Sequence, residues 1–294
     1  MTNKIVAVQG NSPSKLNPVT DTSVFLAHEI QNKNYKIFYY DPKDLSIINS
    51  KVIAAGCFIE FNYQNKKFFK ILKKQKLDLT KCKFILIRQD PPFNLEYISA
   101  TYILDTIKDK VKILNNPTSI RNVSEKLYSV KFQKYMPSTI FTQNIDEIKN
   151  FFKKHKKVIL KPIHSYSGND IHLLTSFNLK LIKKFIKKHD HIMCQKFIPK
   201  ISEGDKRVFL INGKVCGAIS RVPKKGSFLS NMSKGAKPIN IKLTKIENKI
   251  SKLIAKDLKK QNIFFAGIDF IDQKLNGDIN VTSPTGLKTL YDLS

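Results

Sequence analysis

At 294 residues, 41% hydrophobic and 26% charged, the chain is long enough for a large buried core and for more than one domain. Its formal net charge of +29 suggests a polyanionic partner, but only four of its 52 basic residues are arginine, and the lysines are spread along the whole chain. With no Trp and much Asn, Ile, Phe and Tyr, this reads as compositional drift and argues against a nucleic-acid footprint, which employs arginine forks in a localised patch.

KIVAV (4–8) predicts a buried strand, 9–21 a polar loop and 22–32 a helix, with YKIFYY (35–40) as a second strand. This β-loop-α-β opening belongs to a doubly wound α/β layer. Residues 44–80 read as irregular, with a helix near 65–75. CKFILIR (82–88) is a strand carrying RQDPPF at its C-terminal end, where ligand-binding residues of α/β sheets collect. A helix at 96–109 and a strand at 112–116 complete an α/β domain over 1–120. A helix is expected over 122–132 with Ser124 as N-cap, then strands at 138–143 and 157–163 around an amphipathic helix at 145–155. A strand at 171–174 and a lysine-faced helix at 179–188 close a second unit, 121–190. In 191–294, strands at 191–198, 206–213 and 216–223 follow, with Asn212-Gly213 as a hairpin turn. Then come a polar segment at 224–237, a helix at 245–260 and a closing hairpin in GIDFIDQKLNGDINVTSPTG (267–286), with Asn276-Gly277 as its turn signal.

Cys57, Cys82, Cys194 and Cys216 show no CxxC or Cys/His spacing, so neither zinc nor a disulfide scaffold is indicated, and a cytoplasmic location fits. The N-terminal apolar run is too brief for a signal peptide, and no 18-residue apolar run predicts a membrane span.

Three stretches carry candidate chemistry. In ILKPIHSYSGND (159–170), Lys161 ends a strand before a loop of small polar residues; the set can hold phosphates, although an ordinary hairpin turn explains it as well. In EGDKRV (203–208), Asp205 and Arg207 lie two apart on a strand and share a face, as a surface ion pair or an anion clamp. Asp278 and Asn280 likewise share a face, and Asp269, on the preceding apolar strand, can lie alongside. Oxygen-only donors of this kind suit Mg²⁺ held jointly with phosphates. Because lysine serves wherever a plain positive charge suffices, the arginines Arg88, Arg121, Arg207 and Arg221 are expected where a planar fork meets carboxylate or phosphate.

RQDPPFNLEYISATYILD, NNPTSIRNVSEKLYSVKF, VILKP, QKFIP, GDKRVFLINGK and GIDFI…INVTSPTG, in this order, resemble the bacterial glutathione synthetases of the ATP-grasp superfamily, over about residues 4–288. The resemblance implies an N-terminal α/β domain at 1–120, then an ATP-grasp fold of two α+β subdomains at 121–190 and 191–294, with a lid at 224–237. It implies that ATP lies between the subdomains. Lys126 and Lys161 would meet its phosphates, Gln195, Lys196, Phe197 and Ile198 its adenine, and Ser167, Gly168 and Asp205 would also contact the nucleotide. Asp269, Asp278 and Asn280 would bind two Mg²⁺ ions, for which Mn²⁺ can substitute. Arg88, Arg221, Asn280, Ser283 and Thr285 would hold the substrates, γ-glutamylcysteine and glycine, and Arg207 would stabilise developing negative charge. No nucleic acid or membrane partner is implied; a homo-oligomer is, the family forming tetramers.

The chain departs from the family pattern at several points. The glycine-rich phosphate loop reads His164-Ser165-Tyr166-Ser167-Gly168, Leu229 stands at the lid's arginine position, and Asp278 replaces a glutamate. Asn11 replaces an aspartate, and the chain ends eight residues after Gly286, where the family continues into a further helix. A ligase with a changed acceptor or an impaired paralogue is the alternative reading, and a non-catalytic nucleotide- or polyanion-binding protein a remote one. Steeply salt-dependent nucleic-acid binding would identify the last.

Overall fold

The computed structural model describes residues 4–166 and 168–294. The expected opening unit forms from β1 (Ile5–Gln9), α1 (Thr22–Gln31) and β2 (Lys36–Tyr40). Asp21 caps α1, accepting from the N–H groups of Ser23 at 2.6 Å and Val24 at 3.1 Å. The irregular region and the helix near 65–75 are not found. Their place is taken by β3 (Leu45–Ile48), β4 (Lys51–Phe61) and β5 (Phe69–Asp78). The lysine spacing of FKILKKQKLD suits a helix, but pairing along β4, from Ile53 opposite Asp78 to Phe61 opposite Phe69, decides its conformation. After β6 (Phe84–Ile87), α2 (Leu95–Asp105) and β7 (Lys112–Leu114), the first sheet is complete, with β2, β1, β6 and β7 parallel and β4 antiparallel to β2.

The helix expected over 122–132 begins earlier. Asn116 caps α3 (Pro117–Asn122) and Pro117 sits in its first turn, so the chain has left the helix by Val123. A 3-10 stretch, Leu127–Tyr135, follows, interrupted at Phe132. Next come β8 (Thr139–Thr142), α4 (Ile145–His155), β9 (Val158–Pro162), β10 (His172–Leu174), α5 (Leu179–His189) and β11 (Ile192–Lys196), whose strands form an antiparallel sheet in the order β10-β9-β11-β8. Val158 and Leu160 of β9 pack with Ile148 of α4 and Ile182 of α5, so the alternating residues Ile159 and Lys161 face the other way.

The third sheet contains β12 (Asp205–Ile211), β13 (Lys214–Val222), β14 (Lys237–Asn240), β15 (Phe265–Ile271) and β16 (Lys274–Asn280), in the order β14-β13-β12-β15-β16. α6 (Lys245–Lys260) covers one face; its Ile250 and Ile254 pack with Val208 and Ile268. The last residues form α7 (Leu287–Leu293), which packs on α1, β13 and β14. Thr22 Oγ1 accepts from the N–H groups of Gly286 and Leu287 at 3.2 Å each, which ties the C-terminal helix to the start of α1.

Asn212-Gly213 turns as expected, with φ of 48° and 78°. The β15–β16 hairpin does not turn at Asn276-Gly277. It turns at Asp272-Gln273, both with positive φ (46° and 61°), between the paired residues Ile271 and Lys274. Asn276-Gly277-Asp278 instead form a bulge opposite Asp269, between the pairs Phe270–Leu275 and Ile268–Ile279. Gly277 has φ +84°, and a Cβ there would lie 2.4 Å from Met193 Cε and 2.9 Å from Met136 Cε. Gly277→Ala is therefore expected to lower stability by about 1–3 kcal/mol, measured by urea unfolding. An unchanged midpoint would show that the bulge does not depend on the glycine.

Candidate functional site

A cleft of about 600 Å³ is lined by residues of all three sheet units. One wall is built by β13, β12 and β15. In the ladders, Asp205 stands directly opposite Arg221 and Arg207 directly opposite Asp269. Strand alternation turns all four away from the apolar face covered by α6. Arg207 donates from Nε and Nη2 to Asp269 Oδ1 and Oδ2 at 2.8 and 2.7 Å. Arg221 donates from Nε to Asp205 Oδ1 at 2.7 Å, and from Nη2 to Asp205 Oδ2 and, at 2.9 Å, to Asp269 Oδ2. All four side chains are buried. Burial by itself raises the Asp269 pKa, but the Arg207 and Arg221 guanidiniums outweigh it and hold the carboxyl well below the usual range.

A second cluster joins β9, β16 and the segment after α3. Lys161 Nζ donates to the Asn276 backbone oxygen at 2.9 Å and to Asn276 Oδ1 at 3.0 Å, and lies 3.5 Å from Asp278 Oδ2. Lys126 Nζ donates to the Ser165 carbonyl at 3.0 Å, and lies 3.5 Å from Asp278 Oδ1 and 3.6 Å from Glu125 Oε1. Asp278 therefore sits between two buried ammonium groups. For Lys161, burial lowers the pKa by more than Asp278 raises it. For Lys126, burial is outweighed by Glu125 and Asp278, and its pKa rises.

Asp269, Asp278 and Asn280 all line the cleft. Among the described residues no three His, Cys, Asp or Glu side chains close into a metal cage. An open set of hard oxygen donors nevertheless fits Mg²⁺, which takes its remaining ligands from phosphate and water.

Gln195, Lys196, Phe197 and Ile198 line the cleft as well, with Gln195 Nε2 donating to Thr139 Oγ1 at 3.0 Å and the Phe197 N–H to the Lys157 carbonyl at 3.1 Å. Gly168 has φ +70°, and a Cβ there would lie 2.4 Å from Asn231 Oδ1, so Gly168 is pressed against the 224–237 segment. Leu229, Ser283 and Thr285 also face the cleft, while Ser167 lies outside the described residues. Arg88 is buried behind the lining, donating from Nε to Ser23 Oγ at 3.1 Å and from Nη2 to the Pro284 carbonyl at 3.0 Å. Arg121 is not part of the cleft lining; it pairs with Asp105 and lies over the Tyr102 ring at 4.0 Å, clamping α3 to α2.

Sequence reasoning missed Glu125 and Asn276 in the lining. Asn276 was legible only as a turn residue, although it shares the strand face of Asp278 and Asn280.

Residues 5–121 match the family model of the N-terminal domain of prokaryotic glutathione synthetase, and residues 125–294 that of its ATP-grasp domain. Similar proteins include the glutathione synthetase of Bradyrhizobium diazoefficiens, 33% identical over 292 residues, or 98% of this chain and 93% of that protein. The glutathione synthetase of Buchnera aphidicola is 36% identical over 284 residues, 94% and 87% of the two chains. Among solved structures, a RiPP-associated ATP-grasp ligase of Chryseobacterium gregarium, in complex with ADP and a leader and core peptide, superposes with a TM-score of 0.65 at 16% identity, covering 100% of this chain and 92% of that one. The D-alanyl-alanine synthetase A of Vibrio cholerae gives 0.62 at 14%, covering 98% and 92%. At such identities the likeness shows the fold, an N-terminal α/β domain followed by two ATP-grasp subdomains.

Asp269→Asn leaves two buried guanidiniums short of a charge partner and is expected to cost roughly 3–5 kcal/mol of stability at neutral pH. Because the folded carboxyl titrates below its unfolded value, the wild-type advantage is complete above about pH 4 and is lost as pH falls through the folded value. Denaturant titrations of both chains from pH 7 downwards measure it; a difference that stays constant into strong acid would contradict the ion-pair account.

Proposed function

The chain belongs to the prokaryotic glutathione synthetase family and is an ATP-dependent carboxylate–amine ligase, and on that premise we propose that this cleft joins glycine to the cysteinyl carboxylate of γ-glutamylcysteine. The observation that carries the assignment of roles is the convergence, in one cleft, of two buried lysines on Asp278 beside the Arg207–Asp269–Arg221–Asp205 array.

In this reading Lys126 and Lys161 receive the ATP phosphates, the Gln195-Lys196-Phe197-Ile198 edge receives adenine, and Ser167, Gly168 and Asp205 make further contacts with the nucleotide. Asp269, Asp278 and Asn280 hold Mg²⁺, which when bound neutralises phosphate charge. The dipeptide carboxylate attacks the terminal phosphorus, giving an acyl phosphate and ADP. The glycine amine then attacks the acyl carbon, phosphate leaves, and the new amide nitrogen loses a proton.

No protein nucleophile is required. Asp269 takes Nε and Nη2 of Arg207, and Nη1 has no partner among the described residues, so that edge of the fork is free for charge developing on the substrate. Arg221, Ser283 and Thr285 would hold the dipeptide, with Arg88 acting from beneath the surface. Phe228 to Ser233 line the cleft and would shield the acyl phosphate from water. The free cysteines support a cytoplasmic setting.

Sustained, multiple-turnover ADP formation should require γ-glutamylcysteine, glycine and Mg²⁺ together, and folded protein with no such turnover would refute the reading. Arg207→Lys keeps the charge and loses the fork. It should lower kcat roughly a hundredfold while nucleotide affinity changes little.

A further inference from the structure

Asp278 and Asp269 both belong to the set that would hold the metal, yet their present partners differ. Asp269 is satisfied by two guanidiniums that stay with the wall. Asp278 is satisfied by Lys126 and Lys161, at 3.5 Å each, which are the groups that would receive phosphate. Asn276, on the same bulge, reinforces this arrangement: Lys161 donates to its backbone and side-chain oxygens, and its Nδ2 donates to Asp278 Oδ2 at 3.3 Å. Without Asn276 and Asp278, Lys161 would be a buried ammonium with no acceptor among the described residues, which is costly.

We propose that Asp278, seated on the bulge with Asn276, is an internal stand-in for the nucleotide's phosphates. It occupies Lys126 and Lys161 in the ligand-free protein and is drawn off them by the divalent cation, so that metal and nucleotide bind cooperatively. The inference rests on the reading of this cleft as the ATP site. A polyphosphate arriving without metal must approach the two lysines against a carboxylate already beside both, and like charges at such separations repel strongly in a partly buried site. A divalent cation held by Asp278 would offset that repulsion by neutralising charge on both the carboxylate and the phosphates. The lysines then exchange one anionic partner for another and are never left bare.

Removing this charge should therefore strengthen metal-free binding even though it removes a metal ligand. Calorimetric titration of ATP in EDTA is expected to show Asp278→Asn binding roughly tenfold tighter than the wild-type chain, with a smaller gain on adding Mg²⁺. Adenosine, which has no phosphates, should bind both chains equally. Asp278→Ser, which also removes the charge, takes the same measurement if the amide variant does not fold. If the wild-type chain binds ATP with Mg²⁺ but the variants bind metal-free ATP no tighter than it does, the stand-in is overturned. If the wild-type chain binds no ATP even with Mg²⁺, it is the reading of the cleft as an ATP site that fails.

Discussion

The pairing register of β13, β12 and β15 places two guanidiniums against two carboxylates on one buried face, Asp205 opposite Arg221 and Arg207 opposite Asp269. Taking four charges out of water is expensive, and the expense is offset only if every fork finds its carboxylate. A slip of one residue would turn Arg207 toward α6 and its apolar side chains and leave a buried charge on each neighbouring strand. The same contacts that shape the wall of the cleft therefore enforce the register of the sheet.

Around that wall the cleft is assembled from pieces with no stability of their own as a site. β9 turns Lys161 into the cleft because Val158 and Leu160 must face α4 and α5. The bulge at Asn276-Gly277-Asp278 delivers an amide and a carboxylate to the lysines where regular pairing would have spent those residues on a ladder. The 224–237 segment is pressed against Gly168, where only a glycine leaves room for Asn231. The result is a cleft in which Lys126, Lys161, Arg207 and Arg221 all meet carboxylates, although the chain as a whole carries a net charge of +29. That excess lies in lysines distributed over every segment and has little to do with the chemistry of the cleft. The four arginines are used differently, two in the wall, one beneath the lining and one as a clamp between helices.

Much of this was legible in the sequence. The strand KIVAV, the strand carrying Lys161, the Asn212-Gly213 turn and the amphipathic helices at 145–155 and 245–260 follow from local periodicity and turn chemistry. The shared face of Asp205 and Arg207, and that of Asp278 and Asn280, follow from the period of a strand. What misled was local signal whose meaning depends on a partner. FKILKKQKLD has lysines spaced as on a helix, and only the long β4 makes it a strand. Asn276-Gly277 has the chemistry of a turn and is a bulge, because Asp272-Gln273 had already reversed the chain.

By itself, then, the sequence determined the family, the order of most of the elements outside 44–80 and the kinds of side chain available for phosphate, metal and carboxylate. The tertiary structure alone decided who meets whom: that Asp278 rests between Lys126 and Lys161, that Asp269 is claimed by two arginines, and that Arg88 lies beneath the cleft and not in its lining. The physical reason is range. Spacing along a strand or helix sets which residues share a face, but Lys161 and Asp278 are 117 positions apart, and a contact of that kind exists only once the second sheet has packed against the third.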